Sequence, residues 1–455
     1  MIAAGHLGSA AFRDDYGVSH AYMAGAMVKG IASADLVIRM AQARLLAIYG
    51  SGGVPIEDAA VQIRRIKETV PPGSVFGVNV LADPLHPRRE MLMVDRLLQL
   101  GIRVIEASAF MEVTEALVKY RLKGAKLRDG ALDVPNRVFA KVSHPGVASA
   151  FLAPATPELI QRLLSQGLIT EEEASLAPGI PVASDLTVEA DSGGHTDRGV
   201  TSALLPAMIA LRDAQQAQHS FAQPSRVGSA GGIGTPQAAA TAFLLGADYI
   251  ATGSINQCTP EAGTSEAVKE VLQRTGVQDT AYAPAGDMFE LGAKVQVLKK
   301  GLLFPARANK LYDLWRAHPG LEALPVAIRK EIEDKYFRRS FEDVYAETRS
   351  FYDKAAPEEI ERAERNPKVK MALIFRWYFI HSMRLALAGE TGQKTDWQVY
   401  CGPALGAFNT YVAGTDLEKW QNRHVDYIGL HLMDQTASYL GAQFNALRQT
   451  GTALS

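Results

Sequence analysis

Cysteine is scarce: Cys258 and Cys401 are the only two in 455 residues, too few for a disulfide framework and without the paired spacing of a zinc site. A reducing compartment, the cytoplasm, is therefore the expectation. An excess of one charge sign is also lacking. The chain has 47 Lys and Arg against 49 Asp and Glu, a net charge of −2, which favours no nucleic-acid partner. Long apolar runs are missing too: "MALIFRWYFIHSMRLALAG" is interrupted by Arg376, His381 and Arg384, and the N-terminal stretch has no basic n-region. Neither a membrane span nor export is expected. Low-complexity segments and internal repeats do not occur. What remains, 47% hydrophobic and 21% charged, is the composition of a globular chain with a large core.

Short apolar runs alternate with helix-like stretches through the first two-thirds of the chain. The runs are "AYMAGAM" (21–27), "LLAIYGS" (45–51), "VFGVNVL" (75–81), "RVIEASA" (103–109), "RVFAKVS" (137–143), "DLTVEAD" (185–191), "RVGSAGG" (226–232) and "DYIATGS" (248–254). Amphipathic segments such as "IEDAAVQIRRIKETV" separate them. Eight strand–helix units in about 250 residues predict an α/β fold, a (β/α)8 TIM barrel, with a helical insertion over about 145–180. After Gly301 the alternation gives way to long helical patterns. The expected division is thus a barrel over 1–300 and an additional helical region over 301–455.

In such a barrel the chemistry sits at the C-terminal ends of the strands. After runs seven and eight come "SAGGIGTP" and "ATGSINQ". Glycine lets a backbone approach a ligand and offer N–H donors, and a helix opening near Thr235 adds its positive end, worth ~0.3–1 kcal/mol for an exposed charge. Either turn alone is most simply a tight turn; the two together, at adjacent strand ends, predict a phosphate site. Asn79, Lys141, Glu189 and Asp191 lie at the openings of other strands. A flat heteroaromatic ligand with carbonyls and ring nitrogens would satisfy Asn79 and Lys141 together, because burial of either without a partner costs ~1–3 kcal/mol. For Lys141 an ion pair with a neighbouring strand's carboxylate such as Glu106 is an equal alternative; for Asn79 the alternative is an amide that caps its loop.

The stretch "EADSGGHTD" presents His195 just beyond Gly193 and Gly194, with Asp191, Asp197 and Arg198 beside it to tune its proton affinity. Such a histidine suits donation to a substrate carbonyl. Glu189, Asp191 and Asp197 are metal-ligand types, but without further ligands nearby no metal site is expected. Cys258 follows the eighth strand and reads as a small buried residue, not a nucleophile.

"FGVNVL", "EADSGGHTD", "GSAGGIGTP" and "GADYIATGSINQ" resemble the flavin mononucleotide barrels of the nitronate monooxygenase and flavin-dependent enoyl reductase superfamily. "GIAS", "EASAFM", "AKVSHP", "VEADSGGHTD", "DMFELGAKVQVLKKGLLFP", "LIFRWY" and "CGPALGAFN" resemble more closely the PfaD-type trans-acting enoyl reductases of polyketide and polyunsaturated fatty acid synthases, nearly end to end. The resemblance implies FMN, NADPH as reductant, and reduction of the α,β double bond of an acyl chain on an acyl carrier protein domain. It implies the FMN phosphate at Gly231, Gly232, Gly253 and Ser254, the isoalloxazine near Ala26, Met27, Asn79 and Lys141, and Ile233 among the cofactor-binding residues. Glu189, Gly193 and Gly194 complete the cofactor set, with His195 as the catalytic residue. His144 departs from the family pattern, in which arginine is commoner.

Two other functions stay open at this point: a nitronate monooxygenase using the same flavin, and a non-catalytic barrel that scaffolds a synthase. The helical region would cover the site, pair subunits as a homodimer, or do both. From Lys294 to Arg339 there are eleven Lys and Arg against five Asp and Glu, an asymmetry that would steer an acidic carrier protein or else belongs to a solvated helix face with pairs such as Glu331 and Lys335.

Overall fold

In the computed structural model, which describes residues 2–83 and 86–452, eight short segments form a closed parallel barrel. They are β1 (Tyr22–Ala24), β2 (Leu46–Tyr49), β3 (Gly77–Leu81), β4 (Val104–Ser108), β5 (Arg137–Val142), β6 (Asp185–Glu189), β7 (Arg226–Ala230) and β8 (Ile250–Thr252). Each lies inside one of the eight apolar runs. A strand in such a barrel faces packed side chains inside and helices outside, so it is apolar almost throughout instead of alternating. The ring closes where Tyr22, Met23 and Ala24 lie beside Ile250, Ala251 and Thr252.

The N-terminal end of the barrel is plugged. Ser9 caps the helix Ala10–Tyr16 by accepting from Phe12 N at 3.3 Å, and Gly17 ends it with φ +63°. Phe12 stacks on Tyr249 at 4.6 Å between ring centroids, and Tyr16 lies 5.2 Å from Phe139. Gly228 makes room for this layer, since a Cβ there would stand 2.3 Å from the Tyr249 ring.

Between β5 and β6 the predicted insertion holds the helices Pro145–Leu152, Pro157–Ser165 and Glu171–Leu176. The last starts with a reciprocal cap: Glu173 N donates to Thr170 Oγ1 at 3.1 Å and Thr170 N donates to Glu173 Oε2 at 2.8 Å. At the other end of the chain, the helix Val425–Thr452 packs against the barrel helix Pro236–Leu244. Gly429 permits this approach, because a Cβ there would come within 2.7 Å of the Tyr22 ring.

The chain divides into two compact units, and the division differs from the expected one. The barrel unit comprises Met1–Ser192, Asp197–Gly263 and Ala407–Ser455; the second comprises Gly193–Thr196 and Thr264–Gly406. The C-terminal helix thus belongs with the barrel, and residues 264–300 do not. An apolar helix stripe does not state which surface it covers, and the strands β9 (Thr280–Pro284) and β10 (Lys294–Leu298) carry only brief polar–apolar alternation. These two are antiparallel, and the short strand Gly194–His195 joins them along β10.

The second unit is otherwise helical, with Phe304–Ala317, Val326–Glu331, Phe341–Ala355, Pro357–Arg365 and Pro367–Ala388, and a π-helical turn at Ile332–Phe337. The interrupted apolar run lies in the helix Pro367–Ala388, where Met371, Phe375, Tyr378 and Phe379 are buried together with Phe289, Phe304 and Phe337. Among the described residues no helix is long and apolar enough to cross a membrane.

Candidate active site

The barrel strands bring four polar side chains together. Asn79 stands at the middle of β3, two positions before its end, and is registered with Glu106 on β4; Ser108 at the end of β4 is registered with Lys141 on β5. Asn79 Nδ2 donates to Glu106 O at 3.1 Å and to Ser108 Oγ at 2.9 Å. Among the described residues its Oδ1 is buried without a partner, as are Glu106 Oε2 and Ser229 Oγ on β7. Buried acceptors left open in this way are costly unless something donates to them.

Both predicted uses of Lys141 bear on this cluster. Its Nζ lies 3.5 Å from Glu189 Oε1, and the same oxygen accepts from Ser192 Oγ at 2.9 Å. The ion pair is therefore made with Glu189 on the far side, not directly with Glu106. Burial pulls the ammonium down, but Glu189 and then Glu106 outweigh it and hold Lys141 above its ordinary range. Glu106 is fully buried; burial pushes its carboxyl up, and the charge of Lys141 offsets this only in part. The Glu106 side chain reaches across the barrel, since a Cβ on Gly25 would lie 3.8 Å from Oε2.

Glycine turns follow β7 and β8. Gly231 and Gly232 have φ of +83° and +72°. A Cβ on Gly231 would meet Ala190 O at 2.7 Å, whereas at Gly232 and Gly253 it would meet no described atom within 4 Å, so the space over those two is open. Ser254 begins a short helical turn directly after Gly253. Ile233 is buried in the core. Thr235 caps the helix Pro236–Leu244 through Ala238 N at 3.3 Å. Ala26 and Met27 follow β1, and the Met27 backbone packs on Gly50, where a Cβ would fall 1.8 Å from Met27 O. His144 acts locally, its Nδ1 accepting from Gly146 N at 3.1 Å at the start of the helix Pro145–Leu152. Cys258 is fully buried, 3.5 Å from Arg423 Nη1.

Gly193, Gly194 and His195 belong to the second unit, and the other predicted site residues belong to the barrel unit. Gly193 lies against Gly402, where a Cβ would be 2.9 Å from its nitrogen, and Gly194 turns the chain with φ +85°. His195 Nε2 lies 3.0 Å from Asp287 Oδ1. Of the neighbours expected to tune it, Asp197 accepts from Ser143 Oγ through its side chain, and the Asp191 backbone N donates to Gly199 O at 2.9 Å. Asp287 is 92 residues away and no local spacing announces it; its one signal is membership of the "DMFE" block. Glu106 was legible only as a counter-charge to Lys141.

The basic stretch from Lys294 to Arg339 is partly neutralised within the second unit. Lys300 lies 3.1 Å from Asp279, Lys310 lies 3.0 Å from Glu331, Arg307 and Arg338 approach Asp396, and Arg339 pairs with Glu347. Glu331 is thus engaged by Lys310 in addition to any influence of Lys335.

The closed ring of eight parallel strands is a TIM barrel, and glycine turns follow its seventh and eighth strands. Comparison with known proteins narrows the class. The chain superposes on the enoyl reductase domain of MlnA from the macrolactin cluster of Bacillus amyloliquefaciens with a TM-score of 0.94 and 44% identity, covering 97% of this chain and 99% of that domain. It is 50% identical over 449 residues to the polyketide biosynthesis protein PksE of Bacillus subtilis (strain 168), and 42% identical over 419 residues to a polyunsaturated fatty acid synthase polypeptide of Thraustochytrium sp.. Those alignments cover 98% and 91% of this chain but only 58% and 28% of the relatives. A family profile described as the inserted helical domain of [acyl-carrier-protein] S-malonyltransferase matches residues 318–397. The chain belongs to the family its motifs resemble, the PfaD-type enoyl reductases of polyketide and polyunsaturated fatty acid synthases.

Proposed function

We propose that the chain is a trans-acting, FMN-dependent enoyl reductase that takes hydride from NADPH and saturates the α,β double bond of enoyl thioesters on acyl carrier protein domains. The observation that carries this reading is the 44% identity to an enoyl reductase domain along essentially its whole length. The match of residues 318–397 to a helical insert of an acyl-carrier-protein transferase supports a carrier-bound substrate.

The residues suit the cofactor. The open space over Gly232 and Gly253 would take a phosphate, with Gly231 and Ser254 beside it. The unpartnered Asn79 Oδ1 would accept from the N–H of a flavin ring, with Lys141 as the cation at its pyrimidine end and Ala26 and Met27 against its face. Bound FMN supplies hydride transfer between NADPH and the β-carbon of the substrate. The protein's part is electrostatic. As hydride reaches the β-carbon, negative charge develops on the thioester oxygen, and a donor such as His195 aimed there is worth ~3–4 kcal/mol; a proton then reaches the α-carbon.

The test is anaerobic. The yellow protein is reduced with NADPH, an enoyl-carrier is added, and flavin reoxidation is followed with analysis of the acyl product. Rapid reoxidation with a saturated acyl chain is expected. A flavin that stays reduced with several enoyl carriers yet turns over with oxygen and a nitronate overturns the reading in favour of a monooxygenase, and a colourless protein favours a scaffold. His195→Ala should keep its flavin and lose turnover.

A further inference from the structure

Three sequence blocks that share no local spacing meet in the second unit. His195, from "EADSGGHTD", stands on a two-residue strand held to β10, with His195 registered to Val295 and Thr196 N donating to Lys294 O at 3.1 Å. The lack of a side chain at Gly193 lets this strand lie against Cys401 and Gly402. The imidazole therefore projects from a backbone that is fixed on two sides.

Asp287, from "DMFELGAK", lies in the tight connection between β9 and β10. Ala285 N donates to Ala293 O at 2.9 Å across that connection, and Phe289 anchors it in the core, 5.6 Å from Phe379 and 5.4 Å from Trp315 between ring centroids. Arg376, from "LIFRWY", is mostly buried on the helix Pro367–Ala388, with Nη1 3.5 Å from Glu290 Oε1 in the same connection. The side-chain Nε2 of His195 reaches Asp287 Oδ1 at 3.0 Å.

We propose that Asp287 is the positioning residue of His195: it holds the imidazole by Nε2, sets the ring's orientation and keeps the imidazolium in supply for donation, while Arg376 steadies the segment that carries it. This deepens the enoyl reductase reading and rests on it. The titratable and charged groups facing Asp287 come from each neighbouring element: His195 on the short strand, Arg376 on the central helix, Tyr400 on the segment after that helix and Glu290 on its own connection. Asp287 keeps about half of its side-chain surface exposed; partial desolvation pushes its carboxyl up, but the hydrogen bond and charge of His195, with the charge of Arg376, outweigh it and hold the group below its ordinary range. The same attraction acts reciprocally to favour the imidazolium. Burial and then the Asp287 charge push the Tyr400 phenol well up, so it stays neutral and does not compete for that role.

The test pairs a titration with kinetics. Histidine-labelled protein is titrated by NMR, with His195 assigned from the signal missing in His195→Gln, and Asp287→Asn is compared with wild type. The expected result is a fall of about one pH unit in the His195 midpoint, a tenfold change in its protonation equilibrium. The alkaline limb of kcat for carrier-linked enoyl reduction should shift by the same amount, with Asp287→Glu restoring part of both. Asp287→Ser, checked by circular dichroism, provides a second variant if the amide disturbs the connection. An unchanged His195 midpoint overturns the proposal outright. A shifted midpoint with an unmoved kinetic limb also overturns it, because Asp287 is then a local ion-pair partner only. A wild-type protein without enoyl turnover defeats the functional reading instead, and the NMR midpoint still decides whether Asp287 governs His195.

Discussion

Arg226 grips Asp185 across β7 and β6 with one edge of its guanidinium, Nε to Oδ1 at 2.6 Å and Nη2 to Oδ2 at 3.1 Å. The Tyr16 hydroxyl donates to the same carboxylate, and Asp15 Oδ2 takes Arg226 Nη1 at 2.6 Å and Arg137 Nη1 at 3.1 Å. All of this is at the N-terminal face, where a barrel fold invests in stability, not in chemistry.

Asp185→Ala removes one side of a buried ion pair and leaves Arg226 uncompensated beside it. Urea unfolding should show a loss of about 3–5 kcal/mol. The flavin content of the fraction that remains folded should match wild type. A loss under about 1 kcal/mol would mean that water or Asp15 already satisfies Arg226.

All eight barrel strands were legible because burial on both faces leaves an apolar run that needs no partner to be seen. The second unit was less legible, since β9 and β10 gain meaning only by pairing with each other and with the strand at His195. The site divides in the same way. Gly231, Gly232 and His195 announce themselves by local pattern, whereas Asp287 and Glu106 act through contacts made only once the chain has folded.

Gly231 combines a φ of +83° with a Cβ position 2.7 Å from Ala190 O, so an alanine there is both strained and obstructed. Gly17, with φ +63° and no described atom within 4 Å of an added Cβ, isolates the strain alone. Gly17→Ala should cost about 1–2 kcal/mol and leave FMN affinity unchanged. Gly231→Ala should weaken FMN binding at least tenfold by fluorescence titration. Equal affinity in the two variants would remove the β7 turn from the phosphate site.

Asn79 ties β3 to β4 through Nδ2 and leaves Oδ1 open, so its two halves can be tested separately. Asn79→Asp keeps an acceptor but loses the donor to Glu106 O and Ser108 Oγ, and should destabilise the apoprotein by about 1–3 kcal/mol. Asn79→Ala removes both, and the stabilisation that saturating FMN confers in thermal unfolding should shrink. If FMN stabilises Asn79→Ala and wild type equally, the open Oδ1 does not face the ring.

Lys141 is set against two carboxylates, Glu189 at 3.5 Å and the buried Glu106, and the cost of its removal should depend on pH. Burial already raises the Glu106 carboxyl, and Lys141 is the charge that restrains it. In Lys141→Met the restraint is gone and the folded-state pKa of Glu106 climbs further. An acid whose folded pKa lies above its unfolded value, about 4.3 for glutamate, stabilises the fold fully below that value and loses the contribution as pH rises through the folded pKa. The deficit of Lys141→Met relative to wild type should therefore be small near pH 5 and grow to about 3 kcal/mol near pH 8, when a carboxylate is left buried without its cation. Urea unfolding of the apoprotein at both pH values measures it, and Lys141→Arg should recover most of the loss. A deficit of equal size at both pH values would show that Lys141 contributes packing alone and that Glu106 does not respond to its charge.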